Sequence, residues 1–148
     1  MAVKTTRRTL DQLLDEARAR VNRYEPRTAL GAVERGALII DIRSVVDRQR
    51  DGIVPGSLHI PRTVLEWRLD PDSAWRNPHL GDTDRGIIVL CDHGYSSVLA
   101  AAALARLGYA SVADVVGGFD AWREAGLPTC PAGRRRAEGE LAGMRGPD

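Results

Sequence analysis

The chain has 148 residues, 43% of them hydrophobic and 28% charged, with 21 basic against 20 acidic side chains. That length argues for one domain whose core needs no disulfide or metal staple. A net charge of +1 lacks the broad field that a non-specific nucleic-acid binder needs. The two cysteines, Cys91 and Cys130, lie far apart and form no CxxC pair, which argues against a disulfide framework and a cysteine-rich zinc site. The longest apolar run, Val98 to Ala105, falls well short of the about 20 residues a spanning helix needs. Arg7-Arg8 leads into Asp11, Asp15 and Glu16 without the apolar core of a signal peptide, so a soluble, cytoplasmic protein away from the membrane is expected. Of the 21 basic residues 20 are arginine, the usage of an arginine-biased, bacterial genome.

Thr9 and Gln12 have capping-box spacing, and Leu10, Leu13, Leu14, Ala17 and Val21 recur at helical period, predicting an amphipathic helix over about 9–23. A short helix is expected over 28–35, ended by Gly36. Ala37 to Ile42 reads as a strand buried on both faces, with Asp41 as its anomaly. Gly52, Pro55, Gly56 and Pro61 punctuate a turn around a very short strand at Leu58 to Ile60. Val64, Leu65 and Leu69 predict another short helix, and 70–86 reads as a long loop. Ile87 to Leu90 is the sharpest strand and closes on Cys91. A helix follows from near Ser97 to about Leu107, its alanines small enough to lie close against a sheet. Val112 to Val116 gives another strand, Gly117-Gly118 a turn, and 119–125 a last helix. Residues 131–148, rich in glycine and arginine, are expected to be a flexible tail. Strands alternating with helices imply parallel pairing through right-handed crossovers, an α/β fold with a central parallel sheet.

Cys91 carries the chemistry. It stands at the carboxyl end of a strand, before a tight turn that opens a helix, and in open α/β sheets ligands bind at that edge. The turn Cys91-Asp92-His93-Gly94-Tyr95-Ser96 can wrap its N–H groups around the sulfur, and the next helix presents its positive end. Both favour the thiolate and an anion bound at or attached to it, which makes Cys91 a candidate nucleophile.

Cys91-Asp92-His93-Gly94-Tyr95-Ser96-Ser97 resembles the active-site loop of the rhodanese family in its Cys-x-His-Gly-x-Ser-Ser form. Asp41-Ile42-Arg43 and the segment Gly52 to Pro61 are similar to that family's Asp-x-Arg and "Gly-His-Ile-Pro-Gly-Ala" regions, with Gly52-Ile53-Val54-Pro55 replacing the histidine form. Val116-Gly117-Gly118-Phe119-Asp120-Ala121-Trp122 resembles its Gly-Gly-x-x-x-Trp signature. The resemblance implies a rhodanese-like fold of about five parallel strands flanked by helices, with an N-terminal helical extension over 1–25, the domain over 26–130 and the tail after it. It also implies sulfur transfer through a Cys91 persulfide, from thiosulfate, a persulfide or a polysulfide to a thiol or cyanide, with no metal or organic cofactor. The alternative is a non-catalytic sulfur-carrier or interaction module. A phosphatase of related fold needs an arginine six residues after the cysteine; position 97 is serine.

The remaining loop residues are candidates for binding substrate: His93 as a proton donor, Ser96 and Ser97 as hydrogen-bond donors, Tyr95 at the entrance, Gly94 as the hinge of the turn. Asp92 is acidic, and a negative neighbour raises a thiol pKa and repels an anionic donor, which favours a less charged sulfur source. Asp41 and Arg43 are expected to support the site by pairing buried charge. Arg62 and Arg68 could lie over the mouth or on a solvated helix face. His59, Trp122, Phe119, Trp67 and Trp75 are expected to pack, Cys130 to be incidental or to resolve a persulfide, and Arg134-Arg135-Arg136 to be solvated.

Overall fold

A computed structural model describes Val3 and residues 5–133. The elements run α1 (Leu10–Arg18), β1 (Asn22–Tyr24), α2 (Pro26–Glu34), β2 (Leu38–Asp41), α3 (Val45–Asp51), β3 (Leu58–His59), a 3-10 turn at Arg62–Val64, α4 (Leu65–Leu69), β4 (Ile87–Leu90), α5 (Ser96–Arg106), β5 (Val112–Val115) and α6 (Gly118–Glu124). The strands form one five-stranded sheet in the order β1-β5-β4-β2-β3, parallel at every pairing. The chain leaves β2 toward β3 on one side and leaves β4 toward β5 on the other. The carboxyl ends of β2 and β4 therefore flank the topological switch point, where an open α/β sheet leaves a crevice.

Alternation along the strands divides the core between two faces. Ile40, Ile87, Val89 and Cys91 pack with Leu65 and Leu69 of α4 and Ala100, Ala101 and Leu104 of α5. Ile39, Ile88, Leu90, Ala113 and Val115 pack with Ala29 of α2 and with Phe119 and Trp122 of α6. The alanines of α5 serve both sides of that helix, because Ala102 and Val98 also receive Ala17 of α1. Among the described residues no helix is long and apolar enough to cross a membrane.

The first helix is shorter than its pattern predicts. It keeps the capping box, with Gln12 N–H donating to Thr9 Oγ1 at 3.1 Å, but ends at Arg18, and Asn22–Tyr24 pairs with β5 instead. Three polar or aromatic residues have no strand pattern of their own; the exposed edge of β5 recruits them. Helix α3 buries only Arg48 and so has no apolar period to announce it; Ser44 caps it by accepting from Asp47 N–H at 3.1 Å. Trp67 and Trp75, expected to pack, are 50% and 51% exposed, because the inward side of the short α4 is taken by Leu65, Arg68 and Leu69. Arg68 is neither on a solvated face nor over the mouth: it is 1% exposed and donates to the Trp75 carbonyl under the long loop. Arg134 to Arg136 and most of the expected tail lie outside the described residues.

Candidate active site

Cys91 follows β4 at the switch point and is 6% exposed. The loop turns back so that Gly94 N–H donates to Cys91 Sγ at 3.1 Å. Gly94 holds φ +85°, and a Cβ there would stand 2.7 Å from Gly117 N. The loop is clamped from the other side by α6: Phe119 N–H donates to the Cys91 carbonyl at 2.8 Å and Asp120 N–H to the Asp92 carbonyl at 3.1 Å. Gly118, at φ +64°, permits that approach, since a Cβ would sit 2.5 Å from Cys91 O. Burial pushes the Cys91 thiol up, but the hydroxyls of Ser97 and Ser96 and the N–H groups of Ser97 and Gly94 outweigh it and hold the thiol below its ordinary value. All of these donors are neutral. The cradle can hold a thiolate, or the terminal sulfur of a persulfide, without a cation in contact.

Asp41 and Arg43 form the support beneath the loop. Both side chains are fully buried, with Arg43 Nη2 at 2.7 Å from Asp41 Oδ2 and Arg48 Nε at 3.4 Å from the same oxygen. Arg43 Nη2 also donates to the Gly52 carbonyl at 2.8 Å, and its guanidinium lies 4.0 Å from the Phe119 ring centroid. His59 is buried with Nε2 at 2.7 Å from the Arg43 carbonyl oxygen, a core position whose burial pulls its pKa down. Asp92 faces α3 and Arg43: its carboxyl shares a hydrogen bond with Asp47 and lies 3.9 Å from Arg43 Nη1. Burial and then Asp47 push the Asp92 carboxyl above the usual range. His93 is turned outward, its Nδ1 2.8 Å from Asp120 Oδ2, and Tyr95 is 69% exposed on the turn. Ser97 is buried on the first turn of α5. Arg62 pairs with Glu66 at 2.6 Å. Cys130 is a free thiol whose backbone bridges Ile53.

A model of the rhodanese-like domain family matches residues 25–125. The chain belongs to that family. It is 37% identical over 101 residues to a protein of Pseudomonas savastanoi pv. phaseolicola named thiosulfate sulfurtransferase GlpE, covering 68% of this chain and 86% of that one. The protein of that name from Haemophilus influenzae is 35% identical over 103 residues, 70% of this chain and 89% of its own. A solved Rhodopseudomonas palustris protein of unknown function, described as a possible tyrosine phosphatase, superposes with a TM-score of 0.77 at 33% identity, covering 88% of this chain and 100% of that one.

Around the site of this rhodanese-like protein the structure adds three residues with no assigned role in the sequence analysis above. Asp47 is the partner of Asp92. Asp114 is fully buried in β5 and accepts from Ser97 Oγ at 2.8 Å. Arg23, on β1, donates Nε and Nη2 to the two oxygens of Asp114 at 2.9 and 3.1 Å. The anomaly that marks Asp41, a carboxylate in an apolar strand, is also present at Asp114 and was the available signal. Arg23 gave none, because its role depends on the β1–β5 register, where it stands opposite Asp114.

Proposed function

We propose that the protein is a sulfurtransferase that carries a sulfane sulfur on Cys91. One observation bears most of the weight: a cysteine at the switch point whose sulfur lies in a cradle of N–H and hydroxyl donors that favours the thiolate. The names of the curated relatives point the same way. In the first half-reaction the Cys91 thiolate attacks the outer sulfur of the donor. A bond forms from Sγ to that sulfur, the donor's own S–S bond breaks, and its electron pair leaves on sulfite or on a thiolate. In the second, a thiolate or cyanide attacks the outer sulfur of the Cys91 persulfide, and the thiolate of Cys91 is restored. Two covalent half-reactions give ping-pong kinetics, and neither requires a metal or an organic cofactor.

The charge around the cradle favours a persulfide or polysulfide over the thiosulfate dianion, since Asp92 borders the cysteine and Asp47 lies behind it. Two free cysteines suit a reducing, cytoplasmic setting, and a small-molecule donor with a thiol acceptor are the partners this site accommodates. Ser97 occupies the place of a phosphatase's clamping arginine, so that rival reading lacks its anion clamp. Intact mass after incubation with thiosulfate or glutathione persulfide tests the proposal. The wild type gains one sulfur atom, reversed by cyanide, and Cys91→Ser gains none. A wild type that gains none from either donor overturns it in favour of a binding module.

A further inference from the structure

Two links run from Arg23 to the sulfur. Its Nη2 donates to the Gly94 carbonyl at 2.9 Å, and the N–H of that same residue donates to Cys91 Sγ at 3.1 Å. Gly94 is thus gripped at both ends, by the arginine on one side and the nucleophile on the other. The second link passes through Asp114, whose oxygens accept from Arg23 Nε and Nη2 and from Ser97 Oγ. Asp114 is fully buried, and a buried carboxylate keeps its charge only when it is paired and hydrogen-bonded.

We propose that Arg23 and Asp114 are a positioning pair for Cys91, fixing the Gly94 turn and setting which way the Ser97 hydroxyl donates. In the structure Ser97 Oγ donates to Asp114 at 2.8 Å, and the same hydroxyl is one of the groups that hold the Cys91 thiol down, so the carboxylate and the sulfur compete for its single proton. The more fully Arg23 satisfies Asp114, the more of that proton is left for the thiolate. Arg23 lies two residues before the segment the family model covers, on the edge strand that pairs with β5 opposite Asp114. The other charged groups facing the loop have partners of opposite charge: Arg43 with Asp41 and, at 3.9 Å, with Asp92, Asp47 with Arg50, His93 with Asp120.

The inference rests on the proposed role of Cys91 as nucleophile, but it is tested by thiol alkylation, which needs no sulfur transfer, so the two fail separately. In a Cys130→Ser background Cys91 is the single thiol, and its reaction with iodoacetamide is followed against pH, with thermal melts to confirm folding. Arg23→Met leaves Asp114 competing for the Ser97 proton, and the midpoint rises by about one pH unit, with alkylation about tenfold slower below it. Asp114→Asn releases the hydroxyl to the sulfur and removes a negative charge, and the midpoint falls. Unchanged midpoints in both folded variants, or shifts in the same direction, overturn the proposal, because a merely structural pair would move stability and leave the thiol alone. Arg23→Lys is the second probe should Arg23→Met not fold. It keeps the charge but cannot span Asp114 and Gly94 together, so Gly94 N–H is aimed less well at the sulfur and the alkylation midpoint rises, by less than in Arg23→Met. A midpoint equal to the parent's overturns the Gly94 tether.

Discussion

Gly118→Ala tests how the loop is held. The new Cβ would lie 2.5 Å from Cys91 O and 2.6 Å from both Asp92 C and O, about 0.9 Å inside the 3.4 Å at which ordinary contact begins. All three atoms are backbone, so no side chain can swing aside. Either the loop retreats or α6 does, and the Phe119 and Asp120 N–H bonds to it, at 2.8 and 3.1 Å, lengthen or break at about 1 kcal/mol each. An alanine at φ +64° adds about 1–2 kcal/mol of left-handed strain. Together these give a loss of about 3–4 kcal/mol, seen as a fall in Tm of roughly 6–16 °C for a domain of this size. A loop displaced by nearly that overlap no longer aims Gly94 N–H at the sulfur, and Cys91 loading drops by about ten- to a hundredfold. Gly108→Ala is the control: φ is +105° with nothing within 4 Å, so it meets the conformational strain alone, loses about 1–2 kcal/mol and loads sulfur normally. A Gly118→Ala protein that melts and loads like the Gly108→Ala control refutes the clamp.

Asp41→Ala leaves Arg43 and Arg48 buried without their shared carboxylate, and chemical denaturation is expected to show a loss of about 3–5 kcal/mol. The rate of Cys91 alkylation rises with pH through a midpoint below the ordinary thiol value of about 8.5. Ser96→Ala moves that midpoint up, since one of the hydroxyls that offsets burial is gone; a midpoint at the free-thiol value in the wild type contradicts the donor cradle. Asp92→Asn removes the carboxyl beside the nucleophile and raises the thiosulfate loading rate several-fold against glutathione persulfide. An unaltered ratio between the two donors means that this carboxyl does not select them.

Strands β2, β4 and β5 and helix α5 are legible in the sequence because each is buried and apolar enough for its period or its run length to show. The position of Cys91 between β4 and α5 followed from the same signal. Elements whose existence depends on a neighbour stayed hidden. Asn22–Tyr24 becomes a strand by pairing with β5, and α3 buries only Arg48, so neither carries an apolar period. The roles of the glycines were legible only in part. A Gly-Gly pair reads as a turn, but that Gly118 is where α6 meets the Cys91 carbonyl depends on a contact between distant segments. The same holds for charges. Asp41 stood out in its strand and its partner Arg43 was two residues away, whereas Asp114 and Arg23 are separated by 91 positions.

The distribution of charge explains why a near-neutral chain can do anionic chemistry. Each arginine close to the loop already answers a carboxylate: Arg23 to Asp114, Arg43 to Asp41, Arg50 to Asp51, Arg123 to Asp120. These pairs hold shape and contribute little field at a distance, because opposite charges in contact cancel beyond a few ångströms. What remains to stabilise a negative sulfur is a set of neutral N–H and O–H donors, whose effect is strong in contact and falls away steeply outside. Such a site favours one unit of charge on the atom that occupies the cradle. In the proposed reaction a persulfide on Cys91 would place its charge there, whereas the thiosulfate dianion would bring a second charge toward Asp92. The carboxylates that tie the arginines into the fold thus leave Asp92, 3.9 Å from Arg43 Nη1, as the group on which the proposed donor preference turns.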